Sequence, residues 1–211
     1  VDYSARIAQV ASSLASTKHE VIFITPGADL RYLTGYDALP LERLTCLAVR
    51  SDGLSWLIVP TLEKPSALAH GVPELGIELL DWQETQNAYQ ILLAQVGKPK
   101  NPLVNNLMWV EKAFGIRDEI GSDLQLAGKL LSDIREVKSP QEIEYLHEAG
   151  RAIDGVHSNM HLWLRPGRTE REVGRDIAEA ILASGHTKVD FVIVASGPNG
   201  ASPHHELSDR V

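Results

Sequence analysis

The densest chemistry in the sequence is the run Ser196-Gly197-Pro198-Asn199-Gly200-Ala201-Ser202-Pro203-His204-His205-Glu206, where two imidazoles and a carboxylate follow a glycine-rich turn. Glycines let a backbone approach a ligand closely and expose its amides, so one reading is a phosphate cradle. Neither a lysine nor a helix-forming run follows, as a phosphate loop would need. The other reading is a surface turn with His204, His205 and Glu206 in solvent. Asp154, His157 and His161 could share one helix face as metal ligands. Met160 and Trp163 nearby speak for packing and no fourth ligand can be named, so this reads as a chance pair on a long helix. The single cysteine, Cys46, lies inside the apolar stretch Leu44–Val49 and reads as a small buried hydrophobe. The sequence has no His-Glu-x-x-His, no Walker lysine loop, no Gly-x-Ser-x-Gly elbow and no Cys-x-x-Cys.

The elements that must carry these residues follow from pattern. Ile7, Val10, Ala11 and Leu14 fall at helical spacing, predicting a helix to Thr17. Glu20–Thr25 is β-branched and aromatic and is closed by Pro26-Gly27, so it reads as a buried strand. Leu44–Arg50 and Leu54–Pro60 flank Ser51-Asp52-Gly53, a hairpin signal, because Asp and Gly tolerate positive φ. Further strands are expected at Ile77–Trp82 and Leu103–Asn105, and helices at Glu63–His70, Gln86–Val96, Trp109–Phe114 and Leu124–Arg135. This is the grammar of a mixed α/β layer.

At Ser139 the pattern changes. Ser139-Pro140-Gln141-Glu142 is a capping box with proline at the first helical position. Ile143, Leu146, Gly150, Ile153, His157, Met160 and Leu164 then step along one face of a long helix that Arg165-Pro166-Gly167 stops. Thr169-Glu170-Arg171-Glu172 is a second capping box, opening a helix that Gly185 ends. Val189–Ala195 is expected to be a buried strand that delivers the Ser196–His205 loop. Two domains, 1–134 and 135–211, are the economical description.

Composition excludes several classes. The formal net charge of −8 argues against a nucleic-acid surface, which would need clustered Lys and Arg. Apolar runs such as Leu54–Pro60 fall far short of the roughly 18 residues of a membrane span. One cysteine excludes an internal disulfide. No basic segment precedes an apolar one at the start, so a cytoplasmic protein is the expectation. The chain begins at Val1 and stops at Val211 just after a charged loop, and is expected to be a fragment.

Three stretches resemble one family. Ser196–His204 resembles the Ser-Gly-x-Asn-x-Ala-x-x-His segment of the prolidase, aminopeptidase P and creatinase family. Arg31-Tyr32-Leu33-Thr34-Gly35-Tyr36 is similar to the Tyr-Leu-Thr-Gly turn of its N-terminal domain. Arg135–Ile143 is similar to the entry into its catalytic domain, and Leu164-Arg165-Pro166-Gly167 to the exit of that domain's first helix. The matches come in the family's order.

The resemblance implies an N-terminal creatinase-like domain, a mixed sheet with flanking helices, followed by the opening part of an α+β pita-bread catalytic domain. It implies an Xaa-Pro dipeptidase or aminopeptidase that cleaves the bond before proline in a dipeptide or peptide. Such enzymes use two divalent metals, commonly manganese, whose ligands follow the Gly-Asn-His segment. No metal ligand is therefore assigned within residues 1–211, and the 211-residue chain alone is expected to be inactive. His204 is the residue the resemblance places against the substrate; His205 stands where the family commonly has Tyr, and its role is open. A homodimer is implied, with the Tyr36–Arg43 loop as the candidate that reaches a partner. A metal-free creatinase-like C–N hydrolase and a non-catalytic binding relative are the alternatives.

Overall fold

The computed structural model describes residues Val1–Val211, which gather into two compact units, Val1–Val137 and Lys138–Val211. The first is the expected α/β layer. Its strands are β1 (Val21–Ile24), β2 (Cys46–Arg50), β3 (Ser55–Pro60), β4 (Glu78–Trp82), β5 (Leu103–Val104) and β6 (Gln125–Leu126), in the order β4-β3-β2-β1-β5-β6. The central three run antiparallel, and the outer pairings are parallel. Gly53, at φ 91°, turns the β2–β3 hairpin, and Asp52 Oδ1 accepts from the Leu54 amide at 3.2 Å.

Successive side chains on a strand point to opposite faces, and both faces of this sheet are covered. Ile22, Ile24, Leu47, Val49, Leu57 and Val59 pack on one side with α1 (Tyr3–Ala15), α2 (Ala28–Thr34), α3 (Lys64–Ala69) and α6 (Gly128–Glu136). Phe23, Cys46, Ala48, Trp56 and Ile58 pack on the other with α4 (Ala88–Val96) and α5 (Val110–Ile120). Two covered faces explain why the central strands read as unbroken apolar runs rather than alternations.

Three elements of this unit differ from the sequence reading, the first being α5, expected at Trp109–Phe114 and found at Val110–Ile120. The Arg31–Tyr36 stretch is mostly helix, α2, which ends where Gly35 takes φ 73° and donates its amide to Arg31 O. A Cβ at Gly35 would lie 2.8 Å from the Tyr3 ring, so glycine also permits that packing. The helix expected from Leu124 starts only at Gly128, because Gln125 and Leu126 are drawn into pairing with Leu103 and Val104.

The second unit opens on the expected capping box. Ser139 Oγ accepts from the Glu142 amide, and Glu142 Oε2 accepts from the Ser139 amide at 2.8 Å. Helix α7 (Pro140–Ser158) does not continue to Leu164; it breaks at Asn159, and α8 (Met160–Trp163) is a separate turn. Asn159 Nδ2 donates to Gly155 O at 3.0 Å, the local side-chain bonding by which Asn competes with helix. The apolar face of α7 packs little: Ile143 is 45% and Leu146 is 58% exposed, and only Val156 is buried. Helix α9 (Glu170–Ala183) starts on the second capping box, with Thr169 as N-cap and Glu172 as its partner. Val189–Ala195, expected as a buried strand, forms no strand and Phe191 is 74% exposed. Exposure still alternates along it, since Val192 and Val194 are half-buried. An apolar run becomes a strand only through a ladder partner, and the second unit contains no other strand to supply one.

Candidate functional site

The site is built around a residue that the sequence reading treated as part of a helix start. Glu170 is the first residue of α9 and is only 2% exposed. Its Oε1 accepts from the Ser196 amide at 2.6 Å, from Ser196 Oγ at 2.9 Å and from Asn199 Nδ2 at 3.0 Å. Its Oε2 accepts from Ser208 Oγ at 2.6 Å, from His205 Nε2–H at 2.7 Å, from the same Asn199 Nδ2 at 3.1 Å and more weakly from the Ser208 amide at 3.3 Å. A carboxylate is the side chain that can do this, being acceptor-only with about four lone-pair sites. Burial would push the Glu170 carboxyl up. The bonds from Ser208, Ser196, Asn199 and His205 outweigh burial and hold it well below the usual carboxylate range.

The helix start binds the same segment with its backbone. The Glu170 amide donates to Arg210 O at 2.9 Å and the Arg171 amide to Ser208 O at 3.1 Å, satisfying two donors that a helix leaves free at its start. Leu207 lies on α9 so closely that a Cβ at Gly174 would meet its Cδ1 at 2.5 Å. The loop from Ser196 to Arg210 is thus folded over the first turns of α9.

This arrangement separates the two imidazoles. His205 turns inward onto Glu170. His204 stays exposed and makes no hydrogen bond or ion pair. An open concavity of about 430 Å³ lies beside it, lined by Arg171, Phe191, Ile193, His204, His205 and Glu206. The amide-bearing turn does hold an anion, but the anion is the chain's own Glu170. The phosphate-cradle reading is therefore corrected: the Ser196 amide is already used. The solvated-turn reading holds for His204 and Glu206, which are exposed, but not for His205.

The remaining candidates are elsewhere. Cys46 is fully buried, and burial pushes its thiol up to about 12, so it stays protonated and unreactive. The break at Asn159 puts His157 on α7 and His161 on α8, and His161 Nδ1 bonds to Ser158 O at 3.1 Å. No group of three or more His, Cys, Asp or Glu side chains comes together that could hold a metal ion. Both oxygens of Glu170 are committed to protein donors. The resemblance places the metal ligands after this segment, and what residues 1–211 offer is hydrogen bonding and an accessible imidazole. Glu170 was missed because an acid in the first helical turn is ordinarily read as a complement to the helix dipole. The one signal available was that Glu172, not Glu170, fills the capping box.

Known proteins match both units. Probable dipeptidase PepE of Mycobacterium tuberculosis is 41% identical over 209 residues, covering 99% of this chain and 56% of that protein. The crystal structure of dipeptidase PepE from Mycobacterium ulcerans superposes with a TM-score of 0.94 at 40% identity, covering 99% of this chain and 57% of that one. A recombinant prolidase from Thermococcus sibiricus gives 0.81 at 31% identity, over 100% of this chain and 58% of its own. The chain spans just over half the length of these relatives. Residues 6–137 match the Creatinase/Prolidase N-terminal domain and residues 144–211 match Metallopeptidase family M24. The chain, sheet and helix-capped loop together, belongs to the creatinase/prolidase family.

Proposed function

We propose that the complete protein is an Xaa-Pro dipeptidase or aminopeptidase, and that His204 contacts its substrate. The observation that carries this reading is the state of His204: an unpartnered imidazole at the edge of an open concavity, on a loop anchored to Glu170 through Ser196, Asn199, His205 and Ser208. An imidazole N–H there can donate to the carboxylate end of a small peptide. Relatives named dipeptidase and prolidase support the peptide as substrate class. Two divalent ions, manganese for preference, belong to the proposal for the complete protein. Residues 1–211 form no ligand group for them, so the 211-residue polypeptide is expected to be inactive toward Gly-Pro even with manganese supplied. A cytoplasmic homodimer completes the reading; exposed Leu39 and Leu41 support the Tyr36–Arg43 loop as an intermolecular contact.

Proline's ring fixes φ and its nitrogen carries no N–H, so a site shaped for it should separate Ala-Pro from Ala-Ala. Steady-state kinetics on the complete protein with manganese is the test. A kcat/KM at least about tenfold higher for Ala-Pro is expected, equivalent to ~1.4 kcal/mol in the transition state. Equal values for the two dipeptides would remove the proline assignment.

A further inference from the structure

We propose that Glu170 is a positioning residue for His204, acting through His205 and the loop on either side of it; the proposal rests on the reading of His204 as a substrate contact. Nothing holds the His204 side chain directly, so its place is set by where its backbone is held. The two oxygens of Glu170 share that task. Oε1 grips the chain before His204 at the Ser196 amide and hydroxyl, and Asn199 Nδ2 donates to both oxygens, at 3.0 and 3.1 Å. Oε2 grips it after His204, at His205 and Ser208. One buried carboxylate therefore ties both ends of the segment that presents the imidazole, across sequence separations of 26 and 38 residues.

The chemistry of the carboxylate explains why an isosteric amide would fail. Glutamine would replace one acceptor oxygen by an NH₂ group that points at donors. Either the entering or the leaving half of the loop would then lose its partner and face a donor instead. His205 serves the same arrangement with one atom. Its Nε2–H goes to Glu170, while Nδ1 has no protein partner and is not buried. What the loop needs at this position is a donor aimed at Oε2, which an amide side chain can also provide.

The experiment is a double-mutant cycle on the complete protein with manganese and Ala-Pro, using His204→Ala, Glu170→Gln and their combination. Alone, Glu170→Gln should lower kcat/KM by about 10- to 100-fold, the scale of a lost charge-assisted hydrogen bond. In the His204→Ala background it should add less than about threefold, since groups acting as a unit are not additive. Full multiplication of the two losses would overturn the proposal, as would an unchanged Glu170→Gln enzyme. A silent His204→Ala variant would instead overturn the reading of His204 itself. If Glu170→Gln does not fold, His205 decides: His205→Ala should lose about tenfold and His205→Gln should recover to within about threefold of wild type. Equal loss in both His205 variants, or none in either, would overturn the positioning role.

Discussion

The Glu170 carboxylate and the His205 imidazole, 35 residues apart in the chain, meet at 2.7 Å where the start of α9 passes under the loop that carries His204. The pair is almost closed to solvent, with side-chain exposures of 2% for Glu170 and 16% for His205. It makes adjacent histidines unequal. One is consumed in holding the loop and the other is left available.

The ionised state of Glu170 ties stability to pH. Its carboxyl lies below the ordinary value of about 4.3 in the folded chain and near that value when unfolded. The stabilisation is therefore complete above about pH 5 and is lost as pH falls through the unfolded and then the folded value. Urea melts of the 211-residue chain between pH 7 and pH 2 should show an acid limb that Glu170→Gln flattens. An identical acid limb in both proteins would show that the carboxylate is not held as described.

Replacing His204 with alanine in the complete protein should spare fold and metal content while lowering catalysis. A charge-assisted hydrogen bond is worth roughly 1.5–3 kcal/mol, and each 1.36 kcal/mol is about tenfold in rate, so kcat/KM should fall about 10- to 150-fold. Exposed His157, on α7, is the control and its alanine variant should retain activity. His205 is no neutral control, because it is bonded to Glu170. Wild-type kinetics in the His204 variant, with metal measured on the same sample, would remove it from the site.

Gly115 tests the packing of α4 on α5. A Cβ there would come within 2.4 Å of the Tyr89 ring, a rigid plane that can give way only by moving as a whole. Alanine gains up to about 1 kcal/mol in helix propensity, whereas forced repacking costs about 1–3 kcal/mol, so the steric term should win. Gly115→Ala is expected to be destabilised by about 1–2 kcal/mol in chemical denaturation. A more stable variant would mean that the Tyr89 contact is absent.

Cys46 should resist thiol reagents in the native state. Its side chain is buried on the sheet face that α4 and α5 cover, and burial pushes the thiol up to about 12. Labelling with an aromatic disulfide reagent at pH 8 should be slow and should become complete only in denaturant. Rapid stoichiometric labelling of the folded chain would contradict the burial.

The sequence by itself determined the parts whose causes lie within a few residues. The capping boxes at Ser139 and Thr169 need only a side chain and an amide three positions away, and both form. The β2–β3 hairpin needs only Asp52, Gly53 and two apolar runs. The central strands were legible because burial on both faces demands an unbroken apolar run. Tertiary structure decided the rest. Gln125 and Leu126 are a strand because β5 lies beside them, whereas residues 138–211 contain no second strand to pair with Val189–Ala195. His204 and His205 were legible as a pair, but not as opposites. Which imidazole faces solvent depends on a carboxylate far away in the chain, and a contact across such a separation exists only once α9 and the loop have folded together. Local rules fix turns and caps, whereas the partner of a buried charge is set by the whole packed unit, since an ionised group leaves water only where every donor it needs has been assembled.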